Sequence, residues 1–308
     1  MSENQPLPLQ DVHIDFSDDN MWLMNICLAI IMFSVALSIN LKDFQEIFRN
    51  PRGVISGLIS QYLLFPFMTF LLVLVMRPDM GLALGMILIA ACPGGNISNF
   101  FSLQSRGNVA LSVSLTVMAT LLAPLMTPFN FHFWARKVEY VKPLLSTISI
   151  NYYDLALTVL LIMVIPLMLG MYLANRFPDI AQKLFKPLQV LSVLILLAFI
   201  AVAFVGNLDV FADYWEYFVF LVFIHNGLAL LMGYVFGRLT TGSLSDAKTI
   251  SIETGIQNGG LGLLIVFTFF GGKGGMVLLV AWWGIWDIIS GLIIAQIYKR
   301  WQLVSMNT

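Results

Sequence analysis

Glu253 opens an eight-residue run, ETGIQNGG, that interrupts an apolar stretch with one carboxylate, the side-chain amides of Gln257 and Asn258, and three glycines. Well upstream a second interruption, Cys92-Pro-Gly-Gly-Asn-Ile-Ser-Asn99, sets helix-breaking residues beside Asn96, Ser98 and Asn99. Carboxylate, amide, hydroxyl and backbone carbonyl oxygens are hard donors, suited to a hard cation rather than to zinc or copper, and no His or Cys cluster competes with them. Of the seventeen acids, Glu253 and Asp287 are the two that lie well within apolar segments. An ionisable group at membrane depth costs at least about 2.5–3.5 kcal/mol on insertion scales, so each is a candidate for function. From the residues alone Glu253 has three readings: a cation ligand, a neutral carboxyl bonded to its neighbours, and a proton-coupling group without a metal ion. Asp287 is equally compatible with a carboxyl hydrogen-bonded within the core.

The elements that must position these groups follow from composition. The chain has 308 residues, 59% hydrophobic and 11% charged, with mean hydropathy +0.86, far from the roughly 25% charged residues of soluble domains. This is the composition of an all-helical polytopic membrane protein. A net charge of −1 leaves no basic footprint for nucleic acid, and no phosphate loop, zinc spacing or dinucleotide glycine pattern occurs. Cys27 and Cys92 lie in apolar runs and make no disulfide framework. With about twenty apolar residues per span, nine spans are expected at 21–40, 53–75, 80–103, 109–132, 153–175, 187–207, 216–237, 248–270 and 275–298, flanked by polar tails at 1–20 and 299–308. The first tail carries five acids and no Lys or Arg, unlike the basic start of a secretory signal.

Assigning that tail to the outside puts eleven basic residues in the cytoplasm: Lys42, Arg49, Arg52, Arg106, Arg176, Lys183, Lys186, Arg238, Lys248, Lys299 and Arg300. Five, Arg77, Arg136, Lys137, Lys142 and Lys273, remain opposite. The bias supports an N-terminus outside and a C-terminus in the cytoplasm, with Arg136, Lys137 and Lys142 as the main dissent. Trp134, Trp215, Trp282 and Trp301 near span ends suit interfacial anchors. Backbone groups cannot go unpaired in lipid, so broken helices survive only against protein or a wet cavity. Corresponding breaks in two halves of a chain point to an inverted-repeat secondary transporter with its site near the midplane.

At these motifs, CPGGNISN and ETGIQNGG, the chain resembles the bile acid:sodium symporter family; the likeness extends through RGNVALSVSLT, ISQYLLFP and HNG at 225–227. The resemblance implies two inverted repeats, here four plus five helices in a bacterial-type member lacking the first span, with the two broken helices crossing at the centre. It further implies a panel at about 21–40, 153–175 and 187–207 and a core at about 53–132 and 216–298. Carried over by resemblance, one sodium site falls on Ser98, Asn99, Ser112, Thr116 and Glu253, and a second on Gln61, Glu253, Gln257 and the carbonyls of Thr254 and Ile256. Ser112 and Thr116 are four apart, hence on one helical face. Asn96 and Asn258 are expected at the substrate. Asp287-Ile288 departs from the His-Asn that bacterial members can carry. A carboxylate at the pocket margin would repel a bile salt unless protonated or paired, so a smaller or differently charged cargo, or proton participation, follows as an expectation.

The implied function is sodium-coupled symport of an organic anion, bile acid-like or a smaller carboxylate, by alternating access in the inner membrane, with two Na+ and no obligatory protein partner. The alternatives are a proton-linked or sodium-independent transporter of the same fold and a membrane receptor that does not translocate. An enzyme is disfavoured, since neither Glu253 nor Asp287 has a sequence-near His or a nucleophile–base motif.

Overall fold

The structure, a computed structural model, describes residues 18–37, 39, 48–146, 151–205 and 208–305. Residues 1–17 of the tail expected at 1–20, Lys42 and residues 306–308 lie outside the described residues, while residues 18–20 of that tail open the first helix. The helices, in chain order, are α1 Asp18–Ala36, α2 Pro51–Met76, α3 Met80–Ala91, α4 Ser98–Gln104, α5 Val109–Ala135, α6 Tyr152–Arg176, α7 Pro178–Val205, α8 Leu208–Thr241, α9 Leu244–Gly255, α10 Gly259–Phe270 and α11 Gly274–Ser305. Among the described residues the one β-type pairing is an isolated antiparallel bridge between Gly94 and Gln257. Stretches of α2, α5, α6, α8 and α11 are long and apolar enough to cross a membrane, and the chain is a multi-pass membrane protein. The helices run past the apolar segments at several ends. α7 begins at Pro178 rather than 187 and α8 at Leu208 rather than 216, because polar turns continue a helix once a proline or an acidic first turn has started it.

Proline shapes α2. Pro66 has no N–H and its ring crowds the carbonyl four residues back, and the helix responds with a π turn at Ser60–Leu64 in which the Phe65 N–H reaches Ser60 O. The Tyr62 carbonyl is taken up by Asn130 Nδ2 of α5 at 3.0 Å, so the proline leaves no orphan in the bilayer. Glycines set the tightest helix contacts. On the GYVFG face of α8 a Cβ at Gly233 would stand 2.9 Å from Ile250 O, and one at Gly237 3.0 Å from Ala247 Cα of α9, the small-xxx-small device that lets membrane helices approach. α1 lies against α6 and α7, where a Cβ on Gly170 would meet the Ala36 Cβ at 2.6 Å.

Three core helices start at one carboxylate. Asn50, Asn108 and Ser243 cap α2, α5 and α9, taking the N–H groups of Gly53 at 3.0 Å, Leu111 at 3.1 Å and Asp246 at 3.2 Å. The cap amides of Asn50 and Asn108 then donate to buried Asp246 Oδ2 and Oδ1 at 2.8 and 2.9 Å. Hydrogen bonds to a charged group contribute about 1.5–3 kcal/mol each. Asp246→Ala is therefore expected to cost about 2–4 kcal/mol, read as a lowered Tm of the purified protein in detergent; an unchanged Tm would show that the cluster does not tie the three helices.

Candidate functional site

The two broken segments cross and close each other's gaps. Where α3 stops at Ala91 and α9 at Gly255, an extended strand follows, since Cys92 and Ile256 both leave the helical region. Gly95 N donates to Ile256 O at 2.8 Å and Asn258 N to Pro93 O at 2.9 Å. The remaining backbone groups of the second break find side chains: Gln61 Nε2 donates to Glu253 O at 3.0 Å, Gln257 Nε2 to Thr254 O at 2.8 Å, and Asn226 Nδ2 to Gly255 O at 2.8 Å. The Gln257 N–H reaches Asp287 Oδ2 at 3.0 Å. Three helices beyond the broken pair, α2, α8 and α11, thus supply partners that a continuous helix would have found within itself.

Glu253 sits in the last turn of α9, fully buried. Its Oε1 accepts from Ser98 Oγ of α4 at 2.5 Å and from Ser112 Oγ of α5, and Thr116 Oγ1 lies 3.4 and 3.3 Å from its two oxygens. Asn99 Oδ1 stands 3.4 Å from the same Thr116 hydroxyl. One carboxylate, three hydroxyls and an amide oxygen from three helices thus converge on a spot without a basic side chain. Gln61 and Gln257 each spend the amide N–H2 on a carbonyl of the break and leave Oε1 buried with no donor. Buried acceptors are nearly always paired, so two bare oxygens at the break ask for a donor or a cation.

Every residue singled out by sequence for cation binding is at or beside the crossing. Ser98, Asn99, Ser112, Thr116 and Glu253 form one contact group; Gln61, Thr254, Ile256 and Gln257 line the break, with Thr254 Oγ1 also 2.7 Å from Ser60 Oγ of α2. Ile256 O already accepts from Gly95 N and keeps one lone pair. Asn96 and Asn258 flank the crossing half-buried, and Asn258 Oδ1 caps α10 by taking Leu261 N at 3.0 Å. Asp287 is 3% exposed. Its carboxylate faces the Gln257 amide, with Asn226 Nδ2 at 3.4 Å, rather than an open pocket margin. Asp287→Ala strands that N–H and is expected to cost about 1–3 kcal/mol, whereas Asp287→Asn keeps an acceptor and should lose less than half as much by thermal unfolding; equal losses would show that the bond to Gln257 N does not matter.

Several residues that hold the site escaped the sequence reading. Asn226 belongs to the quoted HNG, but nothing in sequence ties it to Gly255 O, or Trp286 Nε1 to its Oδ1 at 3.2 Å. Lys248, counted only as a basic residue of topology, is 1% exposed and donates to Ser105 O, just past α4, at 3.2 Å and to Tyr298 O of α11 at 2.8 Å. A cation suits the carbonyls at a helix C-terminus. Ser251 Oγ adds contacts to Leu230 O at 2.6 Å and Tyr298 O–H at 2.8 Å. The available signal was Lys248's place five residues before Glu253 in an apolar run.

Residues 25–214 match the model of the "Sodium Bile acid symporter family". The chain is similar to "Uncharacterized sodium-dependent transporter YocS" of Bacillus subtilis (strain 168), 30% identical over 277 residues, covering 90% of this chain and 83% of that protein. It is also similar to the "Sodium-dependent organic anion transporter" of Mus musculus, 30% identical over 288 residues, covering 91% of this chain and 74% of that one. The "Probable sodium/metabolite cotransporter BASS2, chloroplastic" of Oryza sativa subsp. japonica is 28% identical over 249 residues; the match spans 80% of this chain and 57% of that protein's length.

Proposed function

Because the chain belongs to the sodium bile acid symporter family, we propose that it is a sodium-coupled symporter of an organic anion working by alternating access. The observation that supports this most directly is the buried Glu253 carboxylate, with the hydroxyls of Ser98, Ser112 and Thr116 on it and the bare amide oxygens of Gln61 and Gln257 nearby. These donors fit Na+: hydroxyls that now donate to Glu253 can rotate and offer lone pairs, and the two orphan oxygens gain a partner. One ion would be held by Ser98, Asn99, Ser112, Thr116 and Glu253, the other by Gln61, Glu253, Gln257 and the carbonyls of Thr254 and Ile256. Two Na+ around one carboxylate leave a net positive charge. The N-termini of α4 and α10 add to it, and an anionic cargo is drawn to the crossing.

Asn96 and Asn258 would present amide donors to that cargo, while Asp287 takes part through the Gln257 backbone it holds. We read α3 with α4, and α9 with α10, as single crossings, giving nine in a four-plus-five inverted arrangement. The packing of α1 on α6 and α7 supports these as the panel, and the antiparallel pairing of the breaks is what an inverted repeat would produce. The N-terminus lies outside and the C-terminus in the cytoplasm of the inner membrane. Each Na+ moving inward gains about 2.3 kcal/mol per 100 mV, so two ions drive the uptake of a monoanion with one net charge to spare. The test is counterflow of tritiated taurocholate and of labelled succinate in proteoliposomes, with Na+ or with K+. Exchange only in Na+ is expected. Equal exchange in K+ would make the carrier sodium-independent, and binding of either probe without exchange would make the protein a receptor.

A further inference from the structure

Arg136 and Lys142, two of the basic residues that run against the charge asymmetry of the sequence, meet at one end of the bundle. There α5 ends and the chain turns through Glu139–Val141 and Lys142–Ser146. Burial pushes the Tyr140 phenol in this turn up to about 12, the Asp79 carboxylate adding to the rise and Arg77 opposing it, so the turn sits beside the α2–α3 connection. Between α5, this turn and the start of α6 lies a cavity of about 560 Å³, with His132, Arg136 and Lys142 on its rim and Phe131, Tyr152 and Leu155 among its walls. Tyr152 O–H donates to Leu125 O at 3.2 Å and links the two helices beside it. Twenty residues of helix separate Thr116 from Arg136, about 30 Å at 1.5 Å per residue, so this space is not the crossing.

The rim has an unbalanced charge. Among the described residues the one ion pair is Lys142 with Glu139 at 2.7 Å, both largely exposed, and no carboxylate is recorded on Arg136 or His132. The topology rule disfavours basic residues at this end, so their clustering calls for a role that topology does not supply. The volume lies within the roughly 300–1,000 Å³ of small-molecule sites, and apolar walls with a few polar groups are the usual lining. A guanidinium is a planar fork that matches carboxylate, sulfate and phosphate oxygens.

We propose that this cavity binds an amphipathic anion, its head on Arg136 and His132 and its apolar body against Phe131, Tyr152 and Leu155. Two sources share that chemistry, a dissolved organic anion and an anionic phospholipid whose headgroup reaches the end of α5. The site uses no residue of the sodium reading and stands or falls without it.

The test takes the full chain in phosphatidylcholine nanodiscs in K+ buffer and measures tritiated taurocholate binding. A parallel arm measures retention of phosphatidylglycerol by native mass spectrometry from detergent. Wild type is expected to bind at least one probe. The double variant His132→Gln/Arg136→Gln should lose it about tenfold or more, and Lys183→Gln, the same charge change on exposed α7 surface, should not. A dissolved anion is the ligand if the loss is in taurocholate, a lipid if it is in phosphatidylglycerol. Ser146→Trp, which narrows the cavity from an exposed position without altering charge, should give the same loss should the double variant fold poorly. Equal binding of both probes by wild type and these variants, or binding of neither, overturns the proposal.

Discussion

Glu253→Gln is expected to abolish sodium stimulation of uptake while leaving a folded protein. Glutamine has the same shape, and its Oε1 can still accept from the Ser98 and Ser112 hydroxyls, so the contact group at the end of α9 persists. What disappears is the one negative charge among neutral oxygens. Removing one partner of a buried charge pair costs about 3–5 kcal/mol, which corresponds to roughly 10² to several thousandfold in affinity for each ion that shares the carboxylate. The thermal shift on exchanging K+ for Na+ should vanish as well, since a ligand stabilises only the state that binds it. A variant that keeps the full sodium-dependent shift would remove Glu253 from the proposed ion site, and with it the main support for symport.

Gly95→Ala is expected to part the crossing and to be strongly destabilising. The added Cβ would stand 2.8 Å from the Gln257 carbonyl oxygen and 3.2 Å from its carbon. That carbonyl is backbone and cannot swing aside, because Asp287 holds the Gln257 N–H and Thr254 O its side chain. The strands must part, exposing Gly95 N, Ile256 O, Asn258 N and Pro93 O. Each buried group left unpaired costs about 1–3 kcal/mol, a total that rivals the 5–15 kcal/mol stability of a whole domain. Gly227→Ala, whose Cβ would meet nothing within 4 Å, should leave Tm unchanged. The comparison is a thermal melt of both variants in one detergent, and a Gly95→Ala protein as stable as Gly227→Ala would mean that the crossing yields to a side chain.

The breaks were legible in sequence because each lies in a compact motif, CPGGNISN or ETGIQNGG, whereas their crossing and the group around Glu253, with Ser112 and Thr116 outside both motifs, were expected only from the family resemblance. What closes the breaks was not. The partners of Gly255 O and Gln257 N are Asn226 and Asp287, 29 and 30 residues away on other helices, and no local pattern says which of many polar side chains will face a given carbonyl. Of the two readings that sequence left open for Asp287, a pocket margin and a carboxyl hydrogen-bonded within the core, the geometry fits the second, since the carboxylate serves the Gln257 backbone. Asp246, just outside the span expected at 248–270, drew no attention in sequence for the same reason, since its worth lies in two asparagines 196 and 138 residues away that begin neighbouring helices. Helix ends at Pro178 and Leu208 were missed because hydropathy marks the length of the apolar stretch, not that of the hydrogen-bonded ladder.

The π turn of α2 has an angular consequence. An α-helix advances about 100° per residue, so the one extra residue in Ser60–Leu64 sets the two halves of α2 about that far out of phase. Buried positions four apart, Gly53, Gly57, Gln61, Phe65, Thr69 and Val73, would drift about 40° per step along an unbroken α-helix, and the offset takes back part of that drift, so both halves keep this stripe on protein. Pro66 touches neither break, yet it enforces this offset, and Asn130 makes it tolerable by taking the Tyr62 carbonyl. The aim of Gln61 is therefore encoded five residues downstream of it, as a twist in the helix rather than as a contact.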